Sequence, residues 1–168
     1  EIQDGIIDII SISRDPGRRA KVAVKSNNSS IGAVGTCVGH MGGRIQAIIK
    51  EINNEKIDIL EWNEDPKIYI ANSLKPATVT DVIITNEEEK QATVIVPNDQ
   101  LSLAIGKAGQ NVRLAVKLTG WKLDIFSESE YNNTAETDLS STDGAKVSLA
   151  DKIKMDAQNN AEDDDKNQ

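Results

Sequence analysis

Hydrophobic and polar positions follow two different periods along the first 126 residues of the chain. Alternation at every second position predicts four strands, at residues 7–13, 21–25, 79–85 and 93–96. Apolar residues spaced as i, i+3, i+4 and i+7 predict two helices, one on Ile45, Ile48, Ile49 and Ile52 and one on Val112, Ala115, Val116 and Thr119. A short strand follows each helix, at residues 56–59 and 122–125. Helices mixed with short strands predict an α+β protein.

This succession of elements occurs twice, at an offset of 67 residues. The offset places Gly39 and Gly42, the ends of a four-residue Gly-x-x-Gly loop, over Gly106 and Gly109. In both copies two strands precede the loop, while a helix and a third strand follow it. The full order predicted for one copy is helix, strand, strand, helix, glycine loop, helix, strand, folded as a small sheet with helices on one face.

A further helix is predicted between the two copies. Asp65 can cap it, Pro66 suits its first position, and its apolar face is formed by Ile68, Ala71 and Leu74. This helix should open the second copy. Too few residues precede the first strand for the first copy to hold an equivalent, so we expect its truncated opening helix to continue upstream.

Charge is distributed unevenly along the chain, whose formal net charge is −8. Residues 1–126 hold 15 basic and 16 acidic residues, a balance of −1, whereas residues 127–168 hold 4 and 11, a balance of −7. The last segment is also poor in large apolar residues, so we expect a disordered acidic tail. The predicted divisions are a first domain at 1–62, a second at 63–127 and the tail at 128–168.

Several classes of function are disfavoured by what the sequence omits. Cys37 is the only cysteine, so neither an intrachain disulfide nor a cysteine-rich metal site is expected. The sequence contains no signal-like segment and no apolar run long enough for a membrane span, which favours a soluble, cytoplasmic protein without a membrane partner. A nucleotide-handling enzyme is a rival hypothesis, but no Gly-x-x-x-x-Gly-Lys-[Ser/Thr] segment occurs. We expect no catalytic residue, metal or cofactor.

The paired glycines indicate a ligand with a phosphate backbone. Glycine permits a positive φ and lets another backbone approach closely, and the helix that follows directs unpaired N–H groups at the loop. KH domains use such a loop to clamp single-stranded RNA beside an apolar groove. Two tandem KH domains of type II are therefore predicted. The residues expected to line their grooves are Val38, Ile45, Ile105 and Val112.

The cations around the two loops differ. Lys107 lies within the second loop, and Arg113 and Lys117 follow on the next helix, whereas His40 and Met41 occupy the first loop. We therefore expect the second loop to attract phosphate more strongly, with only Arg44 supporting the first.

A second group of cations surrounds the first hairpin, and it has two readings. It could be a supplementary RNA-binding patch or a solvated hairpin edge that resists edge-to-edge pairing. Its members are Arg14, Arg18, Arg19, Lys21 and Lys25. The aromatic residues are too few for a base-stacking platform, so core or inter-unit packing is expected of Trp62, Tyr69, Trp121 and Phe126.

Longer segments add a family resemblance to these two loops. The matching text is VGHMGGRI at 38–45, EKIDI at 55–59, Asp65-Pro66, Ala71-Asn72-Ser73-Leu74, QLSLAIGKAGQNVRLA at 100–115 and LTGW at 118–121. Over roughly residues 1–127 the chain resembles the tandem KH region of the NusA family of bacterial transcription termination/antitermination proteins. The resemblance implies a non-catalytic RNA-binding factor that acts in pausing, termination and antitermination.

Partners and site residues follow from this resemblance. It implies binding to single-stranded nascent RNA, contact with RNA polymerase through the full-length protein, and possible association with other antitermination factors. A KH module that contacts ribosomal RNA or protein in ribosome assembly is the alternative. The candidate RNA-binding residues are Gly39, His40, Met41, Gly42, Arg44, Ile45, Gly106, Lys107, Ala108, Gly109, Asn111 and Arg113.

Overall fold

A computed structural model describes residues 1–140 of the 168-residue chain and the side chains of residues 1–134. The chain divides into two units, Glu1–Asn133 and Thr134–Gln168. All strands and helices that form the two glycine-loop modules lie in the first unit. Of the second unit, only the end of one helix is described.

The first module is a three-stranded sheet with two short helices. Its elements are β1 (Ile7–Asp15), β2 (Arg19–Ser26), α1 (Ala33–Val38), α2 (Gly43–Glu51) and β3 (Lys56–Glu61). The strand order is β1-β2-β3, in which β1 pairs antiparallel with β2 and β2 pairs parallel with β3. Buried Ile7, Val24 and Ala33 pack α1 against the sheet, as the predicted alternation requires.

The second module repeats this arrangement behind an added helix. Its elements are α3 (Pro66–Ser73), β4 (Asp81–Asn86), β5 (Gln91–Val96), α4 (Leu101–Ile105), α5 (Gln110–Thr119) and β6 (Lys122–Ser127). Asp65 caps α3 by accepting a 2.9 Å hydrogen bond from the Lys67 N–H, and Pro66 occupies the first turn. Ile70, Leu74, Val94, Ala115 and Trp121 belong to its core. The predicted class, two tandem type II KH domains with small three-stranded sheets, is confirmed.

The two modules pack directly on each other through α3, α5 and the first sheet. The carbonyl of Leu118 near the end of α5 accepts hydrogen bonds from Ser11 Oγ at 3.0 Å and from Tyr69 Oη at 3.2 Å. Lys21 Nζ donates to the carbonyl of Lys75 at 2.8 Å. One buried cluster combines residues of both modules, namely Ala23, Leu60, Tyr69 and Leu118. The sheet of the first module therefore packs against α1 on one face and contacts the second module on the other.

The acidic tail begins differently from the prediction of disorder, because Glu128–Ser140 form a further helix, α6. Ser127 and Glu130 form a capping box at its start. The Glu130 carboxylate accepts from the Ser127 N–H at 2.9 Å, and Ser127 Oγ accepts from the Glu130 N–H at 3.2 Å. The Ser-x-x-Glu spacing is a signal for the start of a helix, in a segment whose polar, acidic composition otherwise indicates disorder. The rest of the predicted tail, residues 141–168, lies outside the described residues.

Candidate nucleic-acid interface

The two Gly-x-x-Gly loops have nearly the same backbone conformation. In the first loop the φ angles of Gly39, Met41 and Gly42 are 78°, 50° and 75°. In the second loop the corresponding angles are 78° at Gly106, 53° at Ala108 and 69° at Gly109. Met41 and Ala108 thus occupy the left-handed region that side chains generally avoid. Two unrelated residue types adopt the same rare angle, so the loop geometry is imposed by its surroundings.

The first glycine of each loop is required by a close approach of the following helix. A Cβ on Gly106 would lie 2.8 Å from the Asn111 backbone nitrogen and 2.9 Å from Asn111 Cβ. A Cβ on Gly39 would lie 2.7 Å from Arg44 Cγ. At Gly109, by contrast, a Cβ would meet no atom within 4 Å. The first glycine of the loop is tightly packed against the following helix, while the last glycine has free space beside it for a ligand.

The helices that follow the loops begin without a side-chain cap. Gly42 and Gly109 are the residues before α2 and α5, and neither helix has a side-chain hydrogen bond at its cap position. First-turn N–H groups have no partner within their own helix, and the positive end of the helix dipole adds to their attraction for anions. The first N–H of each helix donates within the loop, from Gly43 to the His40 carbonyl and from Gln110 to the Lys107 carbonyl. The positive end of each helix, which has no side-chain cap, still suits a phosphate.

Asn111, one of the predicted RNA-binding residues, points into the protein. Its side chain is fully buried, and Nδ2 donates to the Leu74 carbonyl at 3.0 Å and to the Ala104 carbonyl at 2.9 Å. These bonds connect the ends of α3 and α4 to the start of α5. The structure therefore gives Asn111 the role of holding the loop, with its side chain directed away from the surface.

The second loop keeps its predicted cations at the surface. Lys107 and Lys117 are exposed, and neither side chain has a hydrogen bond or ion pair with the residues that the structure describes. Arg113 is half-exposed, and its Nη1 donates to the carbonyl of Ala108 at 3.0 Å. Its Nη2 lies 3.7 Å from Asp15 Oδ2 of the first module. Lys107 is accordingly available to a phosphate, while Arg113 braces the loop.

The first loop is poorer in available charge. His40 and Met41 are both exposed, and Met41 retains 92% of its accessible surface. Arg44 occupies the position equivalent to Asn111. Its Nη1 donates to the Thr36 carbonyl at 3.1 Å and to Glu1 Oε2 at 2.8 Å. The hydrogen bond with Arg44 lowers the pKa of Glu1 and raises the pKa of Arg44. Arg44 is therefore partly occupied by structural contacts.

Two arginines of the basic hairpin cluster are engaged in ion pairs within the first module. Arg14 binds the buried carboxylate of Glu55 through two hydrogen bonds, of 2.7 and 2.8 Å. This pairing and a bond from the Gly17 N–H lower the pKa of Glu55. Arg19 Nε donates to Asp58 Oδ2 at 2.6 Å. These pairs hold the hairpin to the start of β3 rather than facing a ligand.

The remaining members of the cluster differ in exposure. Lys21 is fully buried between the modules, and this burial lowers the pKa of its ammonium group to about 8. Lys25 Nζ lies 4.9 Å from the centre of the Trp62 ring, as a cation–π pair. The Arg18 side chain is exposed and has no polar partner among the described residues. Within this cluster, Arg18 therefore has a side chain that could bind an anionic ligand without first breaking a contact.

Apolar side chains border both loops, but in different ways. On α4, Ile105 and Leu103 remain 37% and 44% exposed beside the second loop. Leu103 was not among the predicted groove residues. Val38 and Val112 are half-buried. Ile45 is buried and lines an apolar cavity of about 380 Å³ in the first module, bounded largely by isoleucine and valine side chains of the sheet and α2.

Comparison with protein-family models assigns both modules. Residues 1–62 match the NusA-like first KH domain, and residues 66–133 match the NusA-like second KH domain. The two matches follow each other in the order in which the family carries these domains. The chain belongs to the NusA family of tandem KH domains.

Curated relatives named transcription termination/antitermination protein NusA align over the same region. The Bacillus subtilis protein is 55% identical over 130 residues, which are 77% of this chain and 35% of the relative. The Thermus thermophilus protein is 50% identical over 136 residues, 81% of this chain and 35% of the relative. The Mycobacterium tuberculosis (H37Rv) protein is 47% identical over 129 residues, with 77% and 37% covered. The chain thus spans about a third of the length of these NusA proteins.

A solved structure shares the fold of these NusA-like domains. The crystal structure of APE1850 matches with a TM-score of 0.53 and 22% identity, and the match covers 71% of this chain and 88% of the other.

Among the described residues, no group of three or more histidine, cysteine, aspartate or glutamate side chains is arranged to hold a metal ion. Within the same part of the chain, none of the helices has the length and apolar character of a membrane span.

Proposed function

We propose that this chain binds single-stranded RNA through its two Gly-x-x-Gly loops, as the RNA-binding part of a transcription factor that acts in pausing, termination and antitermination. The observation that carries the proposal is the duplicated loop. Each copy has three residues with positive φ, free space beside its last glycine and a helix that begins without a side-chain cap. A phosphodiester backbone fits such a surface because it needs N–H donors and room for close approach.

The two loops contribute unequally to this binding. In the second loop, Gly106, Lys107, Ala108 and Gly109 contact the RNA backbone, and Lys107 supplies the cation. The first loop binds through Gly39, His40, Met41 and Gly42, with weaker support from Arg44. Arg113 and Asn111 maintain the second loop through their hydrogen bonds. Ile45 lines the apolar cavity of the first module. Bases pack against exposed Ile105 and Leu103, whose apolar surface lies beside the second loop.

Replacing Lys107 and Ala108 by aspartate tests the second loop. Two negative charges beside the uncapped helix repel phosphate, and we expect affinity for a single-stranded RNA to fall more than about tenfold. Fluorescence anisotropy at fixed, moderate salt measures the effect. Aspartate tolerates the left-handed angle of Ala108, so the fold should persist, and circular dichroism checks this.

The matched control changes His40 and Met41 to aspartate in the first loop. Because the first loop has no cation of its own at these positions, we expect a smaller loss of RNA affinity than at the second loop. A duplex RNA of the same sequence should bind more weakly than the single strand to every variant. An unchanged affinity of the folded Lys107→Asp/Ala108→Asp variant would exclude the second loop as an RNA clamp.

Roles of the whole protein extend beyond these two modules. We propose that RNA polymerase is contacted through the full-length protein, that other antitermination factors join on the same RNA, and that the protein acts in the cytoplasm without catalysing a reaction. The name of these relatives, transcription termination/antitermination protein NusA, supports these roles.

We also propose that the chain consists of one domain at residues 1–62, a second at residues 63–127 and a separate tail.

A further inference from the structure

A carboxylate of the first module reaches the RNA loop of the second. Asp15 ends β1, and its Oδ2 accepts a 2.9 Å hydrogen bond from Nε2 of Gln110, the first residue of α5. The same oxygen lies 3.7 Å from Arg113 Nη2. The other terminal nitrogen of Arg113 donates to the Ala108 carbonyl inside the loop. Asp15 is thus connected to the loop backbone through a single side chain.

The position of Asp15 is itself fixed by the hairpin that carries it. The Arg18 N–H donates to the Asp15 carbonyl at 3.1 Å, which closes the turn between β1 and β2. Buried Glu55 holds this turn by accepting from the Gly17 N–H at 3.0 Å and from Arg14. A carboxylate held on so constrained a turn can orient its partners without losing much conformational freedom.

The charge of Asp15 has the wrong sign for direct contact with RNA. A carboxylate beside an RNA-binding loop repels phosphate, and removing it should strengthen binding if electrostatic repulsion were its main effect. Its contacts favour the opposite outcome. Pairing with Asp15 orients the Arg113 guanidinium, and Arg113 in turn binds the Ala108 carbonyl within the loop.

We propose that Asp15 is a positioning residue through which the first module sets the RNA-binding geometry of the second loop. The inference rests on the proposed function, because it assigns a role within the same RNA site. RNA binding at the second loop then depends on a residue of the neighbouring module that does not touch RNA. A second module expressed alone would lack this support.

The two modules also contact each other away from Asp15. Ser11 binds the Leu118 carbonyl at the opposite end of α5, and Lys21 binds the Lys75 carbonyl. Replacement of Asp15 therefore leaves these contacts in place. Ser11→Ala is a suitable control, since it removes a hydrogen bond between the modules but leaves Asp15, Gln110 and Arg113 unchanged.

The test compares Asp15→Ala and Ser11→Ala in the full 168-residue chain. We expect Asp15→Ala to lower affinity for single-stranded RNA about three- to tenfold and Ser11→Ala to leave it within about twofold. Asp15→Asn, which keeps an oxygen acceptor for Gln110 but loses the charge, should give an intermediate loss. An RNA affinity that is unchanged or higher in both Asp15 variants overturns the proposal. Asp15 would then have no positioning effect on RNA binding, and only its repulsion of RNA phosphates could contribute.

A double-mutant cycle locates the pathway of the effect. In a chain that already carries Gln110→Ala and Arg113→Ala, we expect Asp15→Ala to cause no further loss of RNA affinity. An equal loss in both backgrounds would overturn the assigned pathway. The result is separable from the proposed function. If Lys107→Asp/Ala108→Asp abolishes binding while Asp15→Ala does not lower it, the RNA site stands and the positioning role fails.

Discussion

The two glycines that bound each loop are required for different physical reasons. Gly106 has φ and ψ of 78° and 169°, a region that only glycine populates readily, and Asn111 occupies the space of a possible Cβ. Gly109 has 69° and 15°, a left-handed conformation with free space around its Cα. Sequence alone presents the two residues as equivalent ends of one motif.

A pair of alanine substitutions separates these two reasons. Gly106→Ala should lower the free energy of unfolding by about 3 kcal/mol or more, because the new methyl group meets the backbone of α5. Gly109→Ala should lower it by only about 1–2 kcal/mol, the cost of a left-handed alanine. Urea denaturation measures both variants. Equal losses of unfolding free energy in the two variants would mean that glycine is required at both positions only for its backbone angle.

At the level of elements, α5 differs from α2 in having a second buried face. Leu114 and Leu118 are buried, and Leu118 packs with Ala23 and Leu60 of the first module. At the 67-residue offset, α2 carries Ala47 and Glu51 instead, and both are exposed. Comparison of the two copies therefore reveals a sequence signal for the contact between modules. The signal is the presence of leucine at two positions of α5 where α2 has alanine and glutamate.

Truncation of Leu118 should affect the contact between the modules. Leu118→Ala leaves a cavity between Ala23, Leu60 and Tyr69, and we expect a loss of about 2–5 kcal/mol in the free energy of unfolding. Glu51→Ala, at the equivalent exposed position of α2, should change it by less than about 0.5 kcal/mol. Thermal or urea unfolding compares the two variants. A loss below 1 kcal/mol at Leu118 would indicate that the modules associate weakly.

Local sequence patterns were sufficient to predict β1–β6, the helices that follow the two glycine loops and the Asp65 cap, because each depends on residues close in sequence; α6 was not predicted. Ion pairs across the sheet could not be predicted in this way. Arg14 and Lys21 look like surface cations until the β2–β3 register brings Lys21 opposite Asp58, and the fold brings Arg14 to Glu55. The inward orientation of the Asn111 side chain could not be predicted for the same reason, since its burial by α3 and α4 is a tertiary effect.

For the molecule as a whole, the buried ammonium group of Lys21 makes stability depend on pH. Its pKa is about 8 in the folded protein, against the usual 10.5, chiefly because burial disfavours its charge. Asp58 opposes this shift, while Arg19 and Lys56 add to it. Between these values the unfolded chain binds a proton that the folded chain does not, so stability rises with pH.

A comparison with Lys21→Met tests this pH dependence. Between pH 8 and 10.5 the free energy of unfolding of the wild type should increase by about 3 kcal/mol relative to that of the variant. Chemical denaturation across this range gives the difference, from which contributions of other titrating groups cancel. Parallel curves for the two proteins would show that the Lys21 pKa is not displaced by folding.

The four-residue connection between β3 and α3, together with the packed interface, restricts the movement of the two modules relative to each other. In proteins whose modules are joined by flexible linkers, a wide range of spacings on the ligand is accepted. Under the proposed function, the interface sets the distance between the two RNA-binding loops. An RNA strand that reaches both loops would gain the second contact at little further entropic cost, whereas an RNA that is too short or sharply folded would gain none. We therefore expect selection among RNAs to depend on the spacing of their binding segments.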